Sequence, residues 1–414
     1  MSYIILIISL FFTSAVSAQL VPIEKGNLKY GFDQDRLERI DTRMHQFVDE
    51  GKLAGVQSAI MRNGQLVYSD SYGYADIASE TNLTRDHIWR IYSMTKPIAS
   101  VGLMMLYEQG LFNLKDPVED YIPAFKNMTV YDEEKGIVEA KNKITIVDLL
   151  THTSGIGYGW GGGYVDTLYA AAGLRNSKST EDFINRISEL PLYFEPGTAW
   201  RYGMSTDVIG CLIEVISGQS LDKYLSEVLF KPLDMSDTYF SIPKEKASRL
   251  VTNYTDRRGD SLTVIDHYSM SKYTKEVTLL SAGGGLASTM DDYLIFCQML
   301  LNEGEYKGKR YLSRKTLELM LKDHCTDVVH HGGPVVIPGS GSGFGLGFSV
   351  INDLAATNLL GSEGVYGWGG AAGTVFRIDP EENMISIMMI QLMPYDHLQA
   401  RQTFQNMVYQ ALID

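Results

Sequence analysis

Ser93 and Lys96, in the run Ser93-Met94-Thr95-Lys96, are the residues whose types and spacing point most directly to covalent chemistry. Pro97 follows, and then apolar residues at Ile98, Val101, Met104 and Met105 continue the pattern to Gly110. Proline is accommodated only near a helix start, so the spacing predicts a helix that begins close to Ser93. Residues three apart on a helix have Cβ atoms ~5–6 Å apart, which sets the lysine beside the serine. A serine hydroxyl becomes an effective nucleophile once a neighbour takes its proton, and a lysine of lowered pKa is one such neighbour. The positive end of the helix would favour the oxyanion that develops during attack on a carbonyl. Taken alone the pattern is common; the stretch Ser271–Lys275 holds a looser lookalike, with serine and lysine four residues apart.

Other routes to chemistry carry less weight. A Gly-x-Ser-x-Gly elbow, the usual setting of a serine activated by His and Asp, does not occur in the sequence. His152, in Leu149-Leu150-Thr151-His152-Thr153-Ser154-Gly155, reads as a structural histidine at a helix end. Gly157-Tyr158-Gly159-Trp160-Gly161-Gly162 matches Gly-x-Gly-x-x-Gly in form. It follows a helix-like stretch instead of a strand and opens no amphipathic helix, so no dinucleotide site is expected. Asp323, His324, Cys325, His330 and His331 gather possible ligands in one loop without a recognised zinc spacing. Neither a metal nor an organic cofactor is expected.

The elements that must position Ser93 and Lys96 come from both ends of the chain. Leu37, Ile40, Met44, Phe47 and Val48 recur at helical spacing from Arg36 to Gly51. Val56–Met61 and Gln65–Ser69 flank Asn63-Gly64, a pair that favours positive φ, and read as a hairpin. The C-terminal part mirrors this: Gly373–Ile378, a turn at Asp379–Asn383, a strand over Met384–Leu392, and a helix from Asp396 to about Leu412. Strands joined by tight turns imply an antiparallel sheet. A mostly helical middle runs from Pro97 to Met235, broken by the glycine-rich loop Gly155–Gly163. The expected fold class is therefore α+β: an antiparallel sheet built from both chain ends, flanked by helices, with an inserted helical lobe over about 97–270.

Composition sets the outer bounds. The chain has 414 residues, 45% of them hydrophobic and 21% charged, which excludes a disordered chain. With 36 Lys+Arg against 50 Asp+Glu the net charge is −14, so nucleic acid is not an expected partner. Met1–Ala18 holds no charged side chain and an apolar block, Ile4–Phe12, too short for a spanning helix. Val16-Ser17-Ala18 supplies small residues before Gln19, so this segment reads as a cleaved export signal, leaving residues 19–414 as one periplasmic or extracellular unit without stable membrane insertion. Cys211, Cys297 and Cys325 permit at most one disulfide, and the first two lie in apolar helical patterns that suit buried packing. Asn82, Asn127 and Asn253 open Asn-x-Thr sequons. The sequence carries no signal for an oligomeric state.

Several further motifs stand in a fixed order after Ser93-x-x-Lys96. They are Leu149–Gly155, Phe194-Glu195-Pro196-Gly197, Tyr202–Gly210, Pro232-Leu233-Asp234-Met235 and Gly367-Trp368-Gly369-Gly370. This series resembles the serine β-lactamase and penicillin-binding-protein superfamily, and within it the class C branch that includes β-lactamase-fold esterases. The resemblance covers about residues 35–412. It implies that Ser93 is acylated, that Lys96 and Tyr202 share the proton transfers, and that the backbone N–H groups of Ser93 and Ala371 form the oxyanion hole. A phenol of ordinary pKa ~10 serves as a base near neutrality only if a cation such as Lys96 favours the phenolate.

Two positions depart from the family pattern. The commoner Tyr-x-Asn is Tyr202-Gly203-Met204 here, which leaves Ser205 as a partial substitute for the missing amide in holding substrate. The third motif, which in β-lactamases and peptidases begins with Lys or His, is Trp368-Gly369-Gly370. An indole offers no charge to a substrate carboxylate, but its apolar face suits an uncharged acyl or alcohol group, while Gly369 and Gly370 permit close backbone approach to substrate. The expectation is an exported serine hydrolase acting on a small-molecule ester or amide, with carboxylic esters preferred. The rival is a β-lactamase or D-amino-acid peptidase, which a cationic residue elsewhere in the site would favour. A non-catalytic binding homologue is the third reading, and the joint presence of Ser93, Lys96 and Tyr202 speaks against it.

Overall fold

Amphipathic spacing forms helix α1 (Gln34–Asp49), whose N-cap Asp33 accepts the Arg36 N–H at 2.9 Å. This computed structural model describes residues 30–257, 261–332 and 339–414, so the leader expected at Met1–Ala18 and its cut before Gln19 lie outside them. Among the described residues no helix is long and apolar enough to cross a membrane.

The expected hairpin is present as β1 (Gly55–Arg62) and β2 (Gln65–Asp76), with Asn63 at φ +52° and Gly64 at φ +72° in the turn. A short β3 (Thr81–Asn82) follows. The later part of the chain adds β4 (Ser342–Phe344), β5 (Ser349–Ile351), β6 (Tyr366–Gly369), β7 (Val375–Asp379) and β8 (Met384–Met389). These eight strands form one sheet in the order β4-β5-β6-β7-β8-β1-β2-β3, antiparallel at every pairing. The first and last thirds of the chain meet where β1 pairs with β8, with Gln57 opposite Met389 and Arg62 opposite Met384. The α+β sheet expected from the two chain ends is thus the observed one.

Alternation along the central strands sends side chains to two cores. Val56, Ile60, Met384 and Met388 pack with Leu37, Ile40, Met44 and Phe47 of α1 and with Phe404 and Val408 of the C-terminal helix. Ala59, Met61, Phe376, Ile385 and Ile387 face the other way, toward a larger core that holds helix α2 (Thr95–Glu108), helix α3 (Ser205–Ser217) and helix α4 (Met290–Leu301). Because both faces are covered, β1 is buried at all of its positions.

The C-terminal helix α5 spans Ala400–Gln410 and begins later than the Asp396 that periodicity suggests. Asp396–Leu398 is a separate 3₁₀ turn, and Gln399 at φ +51° reverses the chain before α5 starts. That break brings Tyr395, Asp396 and Arg401 to the edge of the cavity described below. The three cysteines are free and buried. Asn253 is also buried, its amide donating to the Tyr92 hydroxyl at 3.1 Å, so of the three sequons only Asn82 and Asn127 are exposed.

Candidate active site

Ser93 stands at a sharp elbow between a short strand, Trp89–Arg90, and α2. The elbow is a 3₁₀ turn over Tyr92–Met94, in which Tyr92 adopts φ +42°. Left-handed backbone at a non-glycine residue costs ~1–3 kcal/mol and persists where its surroundings hold it. Here the Tyr92 ring meets Tyr273 edge-on at 6.3 Å, and its hydroxyl accepts the Asn253 amide. The expected helix therefore starts two residues after Ser93, leaving the serine partly exposed on the turn that enters it.

Lys96 lies in the first turn of α2 and is 1% exposed. Its ammonium group donates to Ser93 Oγ at 3.3 Å, to the Tyr158 hydroxyl at 2.9 Å and to the Gly283 carbonyl at 2.6 Å. All three N–H bonds of the side chain are thereby used. The Gly283 carbonyl is itself held in place: its own N–H donates to Asp207 Oδ1 at 3.1 Å, and a Cβ at Gly283 would stand 2.4 Å from Asp207 Oδ2. Burial disfavours the charged lysine, yet Tyr158, Tyr202 and Asp207 outweigh it and raise the Lys96 pKa above its usual value. The lysine of lowered pKa considered from the sequence is not what the structure contains; Lys96 is held as a cation.

Tyr202 and Tyr158 approach that cation from two loops. Lys96 Nζ lies 4.7 Å from the centroid of the Tyr202 ring and 5.5 Å from that of Tyr158. The two rings meet at 5.4 Å in a T-shaped contact. Their loops can close only because Gly203 lacks a side chain, since a Cβ there would stand 2.0 Å from the Ile156 carbonyl oxygen. The Tyr202 hydroxyl accepts the Trp368 indole N–H at 3.2 Å. Burial pushes the Tyr158 hydroxyl pKa up, with Lys96 opposing it. Tyr158 is the residue that sequence reasoning missed. It stands in the glycine-rich run first weighed as a nucleotide loop, and an aromatic between glycines directly after Thr153-Ser154-Gly155 was the available signal.

A cavity of about 400 Å³ opens at these groups, lined by Ser93, Tyr202, Trp368, Gly369, Gly370 and Ala371. Ala371 lies just past the last ladder bond of its turn, Gly370 N–H to the Thr374 carbonyl at 2.8 Å, and is exposed. Two of the expected substrate contacts are placed differently. Trp368 is only 6% exposed and packs against Phe344 at 5.2 Å and Tyr202 at 5.4 Å, so most of its indole face is spent on the protein. Trp160, 48% exposed and stacked on Tyr158 at 4.1 Å, gives the cavity its open indole. Ser205 is fully buried at the start of α3, its hydroxyl paired with that of Ser154 at 2.9 Å, and it is not part of the lining. It ties two loops together instead of facing substrate.

The other candidates go elsewhere. His152 caps a short helix, Ile146–Thr151, at φ +59°, and its ring is packed by Trp200, Tyr202 and Phe344. Burial, with Lys96 nearby, drives its pKa well below the usual value, which leaves it neutral. The loop ligands disperse: Asp323 Oδ1 accepts the N–H groups of Cys325 and Phe344, His324 bonds the Leu319 carbonyl, and His330 stacks on Trp200.

A serine on a strained elbow, a lysine one turn on and a tyrosine at the junction of sheet and helices define a serine hydrolase of β-lactamase fold. The beta-lactamase family profile matches residues 40–407, and the chain belongs to that family. Protein Rv1367c of Mycobacterium tuberculosis is 32% identical over 364 residues, covering 85% of this chain and 89% of that one. Esterase EstB of Burkholderia gladioli is 26% identical over 361 residues, covering 82% and 86%. Among solved structures, EstCE1, described as a hydrolase with promiscuous acyltransferase activity, superposes with a TM-score of 0.77 at 22% identity, over 92% of this chain and 99% of that one.

Proposed function

We propose that this serine hydrolase cleaves carboxylic esters through an acyl-enzyme on Ser93. The observation that carries the reading is the contact between Lys96 Nζ and Ser93 Oγ at 3.3 Å on the wall of the 400 Å³ cavity. Lys96, as a cation, favours the phenolate of a nearby tyrosine. Tyr202 is assigned as the base, because its oxygen accepts the Trp368 N–H and its ring flanks the ammonium group. Ser93 Oγ attacks the ester carbonyl while its proton passes to Tyr202. The oxyanion is received by the N–H groups of Ser93 and Ala371, a contribution of about 3–4 kcal/mol where one such donor has been removed. Collapse of the tetrahedral intermediate breaks the bond to the alcohol oxygen, which takes the proton from Tyr202. Water then attacks the acyl-enzyme by the same route in reverse, with no cofactor in the cycle.

The name of the relative EstB and the absence of a cation at position 368 support esters over lactams. A fluorophosphonate probe is expected to label the protein once, and Ser93→Ala to abolish labelling and turnover. Labelling at another serine overturns the mechanism. Short p-nitrophenyl esters, nitrocefin and D-Ala-D-Ala peptides, assayed on one preparation, decide the substrate class; efficient nitrocefin cleavage with poor ester turnover would select the lactam reading. The uncharged, apolar Met1–Ala18 segment supports export from the cytoplasm, and N-terminal sequencing of exported protein should then begin near Gln19. Retention of Met1 in a membrane fraction would overturn that placement.

A further inference from the structure

The cavity has a cationic end that acyl transfer does not use. Gly367 and Gly369 alternate on β6, and a guanidinium lies close to each: a Cβ at Gly369 would stand 2.7 Å from Arg401 Nη1, and one at Gly367 3.1 Å from Arg377 Nη1. Both arginines line the cavity that holds Ser93.

Their partners differ. Arg401 is largely engaged, donating to the carbonyls of Gly373 at 3.3 Å and Thr374 at 2.6 Å, to the Gly370 carbonyl and to the Tyr395 hydroxyl. It grips the turn that carries Ala371. Arg377 has, among the described residues, a single long hydrogen bond, 3.4 Å to the Phe376 carbonyl, and the phenols of Tyr409 and Tyr395 act on it electrostatically. Other deeply placed guanidiniums meet carboxylates: Arg62 with Glu382 at 2.6 Å, Arg90 with Asp266 at 2.7 Å, Arg201 with Asp166 at 2.9 Å. Asp396 also lines the cavity but forms no ion pair with either arginine among the described residues.

A partly buried guanidinium without a counter-anion has lost hydration with nothing to replace it. Burial lowers the Arg377 pKa, and Arg401 beside it adds to the positive potential with four of its five N–H bonds already used. In a chain of net charge −14, a cavity end with two guanidiniums against the single carboxylate of Asp396 is a focused attraction for an anionic ligand. The planar fork of arginine matches a carboxylate with two parallel hydrogen bonds.

We propose that Arg377 is an anion subsite of this cavity and receives a carboxylate that the substrate carries in addition to its reacting carbonyl. The proposal rests on the reading of Ser93 as nucleophile and narrows the substrate class to acyl donors bearing a second, ionised group, a feature that the lactams and peptides of the rival reading share with acidic esters. The charge that Trp368 fails to supply in the third motif comes instead from the neighbouring strand β7, on the face of the sheet opposite the indole.

Paired substrates test it. One pair places the charge on the acyl side, p-nitrophenyl hydrogen adipate against p-nitrophenyl methyl adipate. The other places it on the alcohol side, the butyrate ester of 3-hydroxybenzoate against that of methyl 3-hydroxybenzoate. The ratio of kcat/KM within a pair cancels any loss of folded enzyme. In the unmodified enzyme the anionic member should be preferred by at least ~10-fold in one pair, the scale of a charged hydrogen bond, and Arg377→Gln should abolish most of that preference. Ratios near or below one in both pairs, or a preference untouched by Arg377→Gln, overturn the subsite. If none of the esters turns over, the Ser93 reading fails separately, and calorimetric titration of adipate into both proteins decides: binding lost in Arg377→Gln supports the subsite, while equal binding or none in the unmodified protein overturns it.

Discussion

Lys96 Nζ lies closer to the Tyr158 hydroxyl, at 2.9 Å, than to Ser93 Oγ, at 3.3 Å. The lysine therefore joins two groups, the Ser93 hydroxyl on one side and a phenol from the glycine-rich loop on the other. Removing the Tyr158 hydroxyl leaves a buried ammonium one acceptor short, which costs ~1–3 kcal/mol for a buried group and more for a charged one. Tyr158→Phe is expected to lower kcat by ~10–100-fold. Tyr202→Phe, which removes the assigned base, should lower it by at least ~10²-fold. Full activity in Tyr158→Phe would reduce that tyrosine to packing, and a larger loss there than in Tyr202→Phe would exchange the two roles.

The two indoles of the cavity should separate in a simple comparison. Trp160 is open and Trp368 is not. Trp160→Ala is expected to raise KM for aryl and long-chain esters through lost apolar contact of ~1.5–3 kcal/mol, with little change in Tm. Trp368→Phe keeps most of the bulk but deletes the N–H that Tyr202 accepts, so kcat should fall together with a modest loss of Tm. An unchanged KM profile in Trp160→Ala, with substrate ranking altered only in Trp368→Phe, would return the apolar contact to Trp368.

Gly203 is the tightest junction between the two tyrosine loops. Gly203→Ala should destabilise the protein by ~1–3 kcal/mol or more, since the new Cβ meets backbone that has no rotamer to change. Thermal melting checks this, and a variant with unaltered Tm would mean that the loops have room to part.

Asp292, in the first turn of α4, is buried and accepts the Asp237 N–H at 2.7 Å and the Thr238 hydroxyl at 2.8 Å. Burial pushes its pKa up to about 7, against the pull of those two hydrogen bonds. An acid with a higher pKa folded than unfolded binds more protons when folded, so its contribution to stability weakens as pH rises from about 4 to 7. Raising pH from 5 to 8 should therefore cost the unmodified protein more Tm than Asp292→Asn, in which that titration is absent. Parallel Tm profiles for the two would show that Asp292 does not titrate in this range.

Sequence alone determined what depends on local spacing. The period of two around Asn63-Gly64, the helical period of α1 and α2, and the three-residue step from Ser93 to Lys96 are properties of neighbouring residues. They specified the sheet from both chain ends and the contact between Ser93 and Lys96. The order of the longer motifs added Tyr202 and the β6 strand. Tertiary structure decided which side chains of these elements meet. Tyr158 reaches Lys96 because Gly203 lets two loops close, and those glycines lie 46 residues apart from Gly157 to Gly203 in the sequence numbering. Trp368 is covered and Trp160 left open because exposure depends on what packs over an indole. Arg377 is one of many arginines in the sequence, and it becomes notable only when strand pairing sets it over Gly367 with no carboxylate opposite. Burial and counter-charge are relations between distant segments, fixed when the sheet closes between β1 and β8, and no local pattern encodes them.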